Sequence, residues 1–165
     1  MKRSEFNRIL KSIISSPTAP FHERAALDAI RRELGENGIS WSSDKFGNLS
    51  AVIKPTGRSR MPAIAFVAHS DHPGFEIISV SGRKARARFL GGAYHRFVKD
   101  APVIVHSNYG PVMGHVASAS LIKGDIRRRV AQLSLQLEAP VELGDFGQWG
   151  VPAYEKHGKL IRVRA

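Results

Sequence analysis

Between residues 63 and 74 the chain changes character abruptly. Ala63-Ile64-Ala65-Phe66-Val67-Ala68 is apolar at every position, and His69-Ser70-Asp71-His72-Pro73-Gly74 comes at once with polar and turn-forming residues. A strand with one solvated face alternates apolar and polar side chains. An unbroken apolar run is instead expected of a central strand covered by helices on both faces. The run is far short of the roughly 20 residues that a membrane-spanning helix needs. It therefore predicts a layered α/β sheet, whose ligands sit beyond the carboxyl ends of its strands, here the segment starting at His69.

The flanking sequence supplies the other layers. Phe6, Ile9, Leu10, Ile13 and Ile14 recur at three-four spacing and predict a first amphipathic helix, with Ser4 as its N-cap. Ser15-Ser16-Pro17-Thr18-Ala19-Pro20 breaks that pattern. Ala26, Leu27, Ile30 and Leu34 then form a second helical stripe, ended by Gly35 and Gly38. From Ile39 the texture turns to short β-like runs, with Leu49 to Lys54 lying between Gly47-Asn48 and Pro55-Thr56-Gly57.

Beyond Phe75 strand succeeds strand. Lys84 to Phe89 alternates basic with apolar, Val103 to Val105 and Val112 to Val116 flank Asn108-Tyr109-Gly110, and Ala131, Leu133, Leu135 and Leu137 alternate with Gln132, Ser134 and Gln136. The pattern predicts a separate β-rich domain, barrel or PDZ-like. Residues 1–75 are then the amino-terminal part of an α/β domain, 76–155 an inserted β-rich domain, and 156–165 a strand returning to the first sheet. That last stretch, Lys159 to Ala165, is expected to end partway through a structural unit.

At 165 residues, 42% hydrophobic and 24% charged, the chain has room for one ordinary domain or a small one interrupted by another. It contains no cysteine, which excludes disulfides, thiolate catalysis and thiolate metal sites. Any metal must be held by His and carboxylates. Lys2-Arg3 is not succeeded by a signal-peptide core, so a cytoplasmic, non-membrane protein is expected. The net charge of +11 would attract polyanions. Because the basic residues are scattered and no nucleic-acid motif accompanies them, a nucleic-acid partner is not expected.

If residues 63–71 continue as a strand, His69 and Asp71 project from one face. An imidazole is a good ligand for a divalent cation, and a carboxylate two residues on can hold its other ring nitrogen, fixing the tautomer. His-x-Asp alone arises by chance; its place after an apolar strand is what gives it weight.

The ordered set is more specific. Pro17-Thr18-Ala19-Pro20-Phe21-His22-Glu23, Asp44-Lys45-Phe46-Gly47-Asn48-Leu49, and Ala63 to Phe75 with His69-x-Asp71 and Pro73-Gly74-Phe75 resemble the glutamyl-aminopeptidase and tetrahedral-aminopeptidase family of dinuclear metallopeptidases. Gly91-Gly92, Pro102 to Val105, Gly110 to Gly114 and Gly144-Asp145-Phe146 resemble landmarks of the β domain that interrupts that family's catalytic domain. The resemblance implies the start of a three-layer αβα metallopeptidase domain. It makes His69 a ligand of one of two divalent ions, zinc or cobalt, and Asp71 the catalytic-site residue that supports it. It implies a peptide substrate with a free amino terminus, hydrolysed by water activated between two metals. It also implies a homo-oligomer assembled through residues 76–155.

In that family the bridging carboxylate, the general-base Glu and the remaining ligands lie beyond the stretch matched here. The resemblance thus makes this chain the amino-terminal half, expected to be inactive alone, to bind metal weakly or not at all, and to need a missing carboxyl-terminal half. The alternative function is a non-enzymatic remnant whose β domain acts as a binding or assembly module.

Other residues keep two readings. His72 is either a group facing the cleft or an exposed turn residue before Pro73. His22 either edges the cleft or simply starts the second helix. His95, His106, His115 and His157 lack paired ligand spacing and are read as structural. Arg127-Arg128-Arg129 is a solvated charge run, or else a contact for an oligomer or an anionic partner. Trp149 is either core or a junction between domains.

Overall fold

A computed structural model describes residues 2–54 and 64–163. Helix α1 (Arg3–Ile14) and helix α2 (Arg24–Glu36) form where the apolar stripes lie. Ser4 is not the cap: the helix starts before it, and Lys2 occupies the cap position without a side-chain hydrogen bond. α2 runs through Gly35 to Glu36, so of the two glycines expected to end it only Gly38 does. Gly38, at φ +66°, turns the chain so that Ile39 N–H reaches Leu34 O at 2.9 Å and Gly38 N–H reaches Gly35 O at 3.0 Å. The helices are joined by Arg8, whose guanidinium makes two parallel 2.8 Å hydrogen bonds to the Glu33 carboxylate.

Strands β1 (Trp41–Ser43) and β2 (Leu49–Ala51) make a small antiparallel hairpin. Asp44 closes it, accepting the N–H groups of Phe46 and Asn48 at 2.9 and 3.0 Å.

The β-rich region is a closed antiparallel barrel. It comprises β3 (Gly74–Ser81), β4 (Lys84–Leu90), β5 (Pro102–Ser107), β6 (Gly110–Leu121), β7 (Val130–Leu137) and β8 (Phe146–Trp149), in the order β3-β4-β7-β6-β5-β8. Closure leaves no edge strand to be covered. Alternation sets the two faces. Ala85, Ala87 and Phe89 of β4 and Leu133, Leu135 and Leu137 of β7 point inward, joined by Phe75, Ile77, Val103, Val105 and Val116. Small faces large across the ladder, with Ala85 opposite Leu135 and Ala87 opposite Leu133. Gly147 in β8 leaves space that the Phe75 ring fills. Register shifts after Ile77 in β3 and Val116 in β6 supply the bulges that let short strands curve into a barrel.

After the barrel, β9 (Tyr154–His157) and β10 (Leu160–Val163) pair with each other. A strand, β10, lies where the final one is expected, but among the described residues it pairs with β9 rather than returning to a first sheet; Arg164 and Ala165 lie outside the described residues, as do Pro55-Thr56-Gly57 and Ala63.

The segment 64–68 differs from expectation. It has no regular secondary structure, and its side chains are bare: Ile64 is 74% exposed and Phe66 and Val67 each 94%. The reason is the absence of a sheet to join. Among the described residues, β1 pairs only with β2 and β9 only with β10, so this apolar segment has neither a ladder for its backbone nor a layer over its side chains. The expected central strand is therefore corrected to an irregular run whose apolar side chains face solvent, and His69 and Asp71 do not project from a strand.

Candidate functional site

His69 and Asp71 meet without the strand. His69 Nδ1 lies 2.9 Å from the Asp71 carbonyl oxygen and 3.2 Å from its carboxylate Oδ1. Both partners can only accept, so Nδ1 carries the proton and donates it. That tautomer leaves the Nε2 lone pair as the ring's donor to a cation. The imidazole side chain is 80% exposed and that of Asp71 31% exposed, so the pair stands at the surface with its carboxylate inward.

The backbone on either side of Asp71 is tightly anchored. Ser70 O accepts the Thr18 hydroxyl at 3.2 Å, and Thr18 N–H is held by the buried Gln148 of β8 at 3.4 Å. Thr18 and Ala19 are themselves buried. Gly74 allows this: a Cβ there would lie 2.6 Å from Gly147 O and 2.7 Å from Ala19 Cβ. The Pro17-to-His22 loop is thus wedged between the His69–Gly74 segment and the barrel.

His22 sits at the other end of that loop. Its ring stacks on Phe146 with centroids 4.6 Å apart, and its Nε2 is 3.2 Å from Glu76 Oε2, while Arg88 engages Glu76 Oε1 at 3.2 Å. Beside it the chain turns through Phe21 at φ +72°, a conformation that a bulky residue adopts only when its surroundings impose it. Together with Phe21, Leu27, Asp28, Arg31 and Phe146, His22 lines an open cleft of about 780 Å³. Its contacts run to the barrel residues Glu76 and Phe146. His72 is half-buried between Asp71 and Pro73.

His69 with Asp71 fits one ligand position and its supporting carboxylate. Among the described residues, no three His, Asp or Glu side chains converge. Two divalent cations a few ångströms apart need anionic ligands between and around them, so these residues do not by themselves form a two-metal centre. Thr18, Glu76 and Gln148, which fix the surroundings, carry no signal in the sequence: a lone Thr, Glu or Gln matches no local pattern. Phe146 is visible only as part of the Gly144-Asp145-Phe146 landmark.

No family model matches the sequence, and no curated protein matches it. Solved structures do match, and they define a class: the chain has the fold of part of the tetrahedral aminopeptidases, corresponding to their amino-terminal half. Among them are the TET aminopeptidase of a marine-sediment thaumarchaeon (TM-score 0.70, 20% identity, 92% of this chain and 46% of that one) and an aminopeptidase of Desulfurococcus kamchatkensis (TM-score 0.69, 18% identity, 94% and 46%). The TET1 peptidase of Pyrococcus horikoshii, which can assemble into a tetrahedron or a large octahedral shell, matches with TM-score 0.64 and 23% identity over 87% of this chain and 46% of its own. The chain therefore spans a little under half the length of these relatives. Two helices and a closed β-barrel, within a fold shared with these aminopeptidases, agree with the α/β class expected from the sequence. No helix among the described residues is long and apolar enough to cross a membrane.

Proposed function

We propose that this chain is the amino-terminal portion of a metal-dependent aminopeptidase, and that it contributes His69 as one metal ligand and Asp71 as the group that orients it. The carrying observation is the contact of His69 Nδ1 with two acceptors of Asp71, which selects the tautomer that presents Nε2. In the complete site the metals would supply an activated water and polarise the peptide carbonyl. This chain's own part is narrower. Asp71 holds the proton on Nδ1, and the wedge of Thr18, Ala19 and Gln148 fixes the backbone beside it.

The remaining ligands would come from a carboxyl-terminal half. Two observations support that assignment. The solved relatives are about twice as long as the stretch matched here, and the apolar side chains of Val52, Ile53, Ile64, Phe66 and Val67 are exposed where a sheet and its covering layer would bury them. The substrate would be a short peptide with a free amino terminus. Residues 76–155, holding most of the barrel, would serve as the assembly domain of a homo-oligomer.

The metal assignment is tested by calorimetry with zinc and with cobalt at neutral pH. A single imidazole with an outer carboxylate falls short of the three or four ligands of protein zinc sites, so the isolated chain should bind only weakly. Stoichiometric submicromolar binding that disappears in His69→Ala would show a ligand set complete within this chain and contradict the reading.

A further inference from the structure

Two connections of the barrel border an open cleft of about 540 Å³ lined by Tyr94, His95, Arg96, Ile126, Arg127 and Arg128. None of these residues belongs to the His69 and His22 surroundings. The connections are stitched together by backbone: Tyr94 bridges to Arg129, His95 N–H reaches Arg128 O at 3.2 Å, and Val130 N–H reaches Ala93 O at 3.0 Å. Asp125 then shapes the second of them. Its carboxylate accepts the N–H of Arg127 at 3.1 Å, the N–H of Arg129 at 3.0 Å and the Arg129 Nε at 2.8 Å. The loop is held so firmly that Arg128 takes φ +53°.

This scaffold uses up one positive charge and presents three. Arg129 is neutralised by Asp125, whereas Arg96, Arg127 and Arg128 stand in no ion pair among the described residues. Arg96 is also oriented. Its guanidinium lies 4.6 Å from the Phe97 ring centroid and 6.0 Å from that of Tyr94. A planar fork held against aromatic faces is suited to a carboxylate gripped at both oxygens. Beside these cations Ile126 is 95% exposed, an apolar contact waiting in the same cleft.

We propose that this cleft is a docking site for an acidic peptide segment, with a Glu or Asp carboxylate held by Arg96 and the Arg127-Arg128 pair and an adjoining apolar side chain against Ile126. The chemistry favours a peptide over a nucleic acid. Ile126, bare beside the cations, offers an apolar contact that a peptide side chain can meet and a phosphate backbone cannot, and the Arg96 guanidinium already occupies one face of the Phe97 ring. A volume of this size accommodates a few residues, within the range of small-molecule and peptide pockets. Of the two readings of Arg127-Arg128-Arg129, the geometry selects the anionic partner for Arg127 and Arg128 and gives Arg129 to the loop.

The test is fluorescence anisotropy on the full chain with a labelled Glu-rich hexapeptide. Its amino terminus is acetylated, so that binding is independent of any aminopeptidase site. The comparison probes are the Gln analogue and a single-stranded oligonucleotide of equal charge. The acidic peptide should bind saturably and about tenfold or more tighter than either probe. Arg96→Ala and Arg128→Gly should each weaken it by about the same factor, and Arg96→Lys should fail to restore it because the fork is lost. Arg162→Ala and Lys45→Ala, on other elements, measure the nonspecific contribution of the net charge. Equal weakening in these controls, tighter binding of the oligonucleotide, or rescue by lysine would each overturn the proposal.

Discussion

Glu33 is a carboxylate only 7% exposed, and what keeps it ionised there is Arg8. The hydrogen bonds from Arg8 hold the Glu33 carboxyl below its ordinary value, against the opposing effect of desolvation. A depressed folded-state value means that the contribution to stability is present above the ordinary glutamate value of about 4.3 and is lost as pH falls through the folded value. Glu33→Gln should therefore melt at a lower temperature than the parent at pH 7, and the difference should shrink as pH is lowered below about 4.3. Thermal melts from pH 7 to pH 3 measure this. A difference that stays constant across the range would mean that the ion pair does not join the two helices. At the same scale, the pairing of His69 with Asp71 is legible from their spacing, but its geometry is not. The two meet through Nδ1 in an irregular segment, by one carbonyl and one carboxylate contact, rather than side by side on a strand.

Among the elements, the start of β3 carries the closest packing near the candidate site. Gly74→Ala would set a Cβ against the Gly147 carbonyl and Ala19, neither of which is a flexible side-chain end, so the variant should lose about 1–3 kcal/mol in chemical denaturation. Gly35→Ala is the contrast. Gly35 lies within α2 with no atom within 4 Å of an added Cβ, and its replacement should leave stability unchanged or raise it by up to about 1 kcal/mol. A Gly74→Ala protein as stable as its parent would show that the loop is not wedged against the barrel. The alternation in β4 and β7 makes the barrel strands readable, because a period of two is set locally by the pleat. The apolar run at 64–68 departs from expectation for the opposite reason: hydropathy records what a segment could bury, whereas a strand also needs neighbours. Contacts such as Thr18 to Ser70 and His22 to Glu76, separated by 52 and 54 positions, leave no trace in local pattern.

For the whole molecule, the parts are unevenly finished. The barrel closes on itself, while among the described residues the apolar segment before it is exposed and the two short hairpins pair only within themselves. The proposed function is tested most directly by release of amino-terminal residues from short unblocked peptides with added zinc or cobalt, by this chain alone and by the chain co-expressed with a complementary carboxyl-terminal half. No release is expected from the chain alone, and chelator-sensitive release from the pair, which His69→Ala abolishes while the circular dichroism spectrum is unchanged. Robust chelator-sensitive release by the purified chain alone, lost in His69→Ala, would contradict the proposed function.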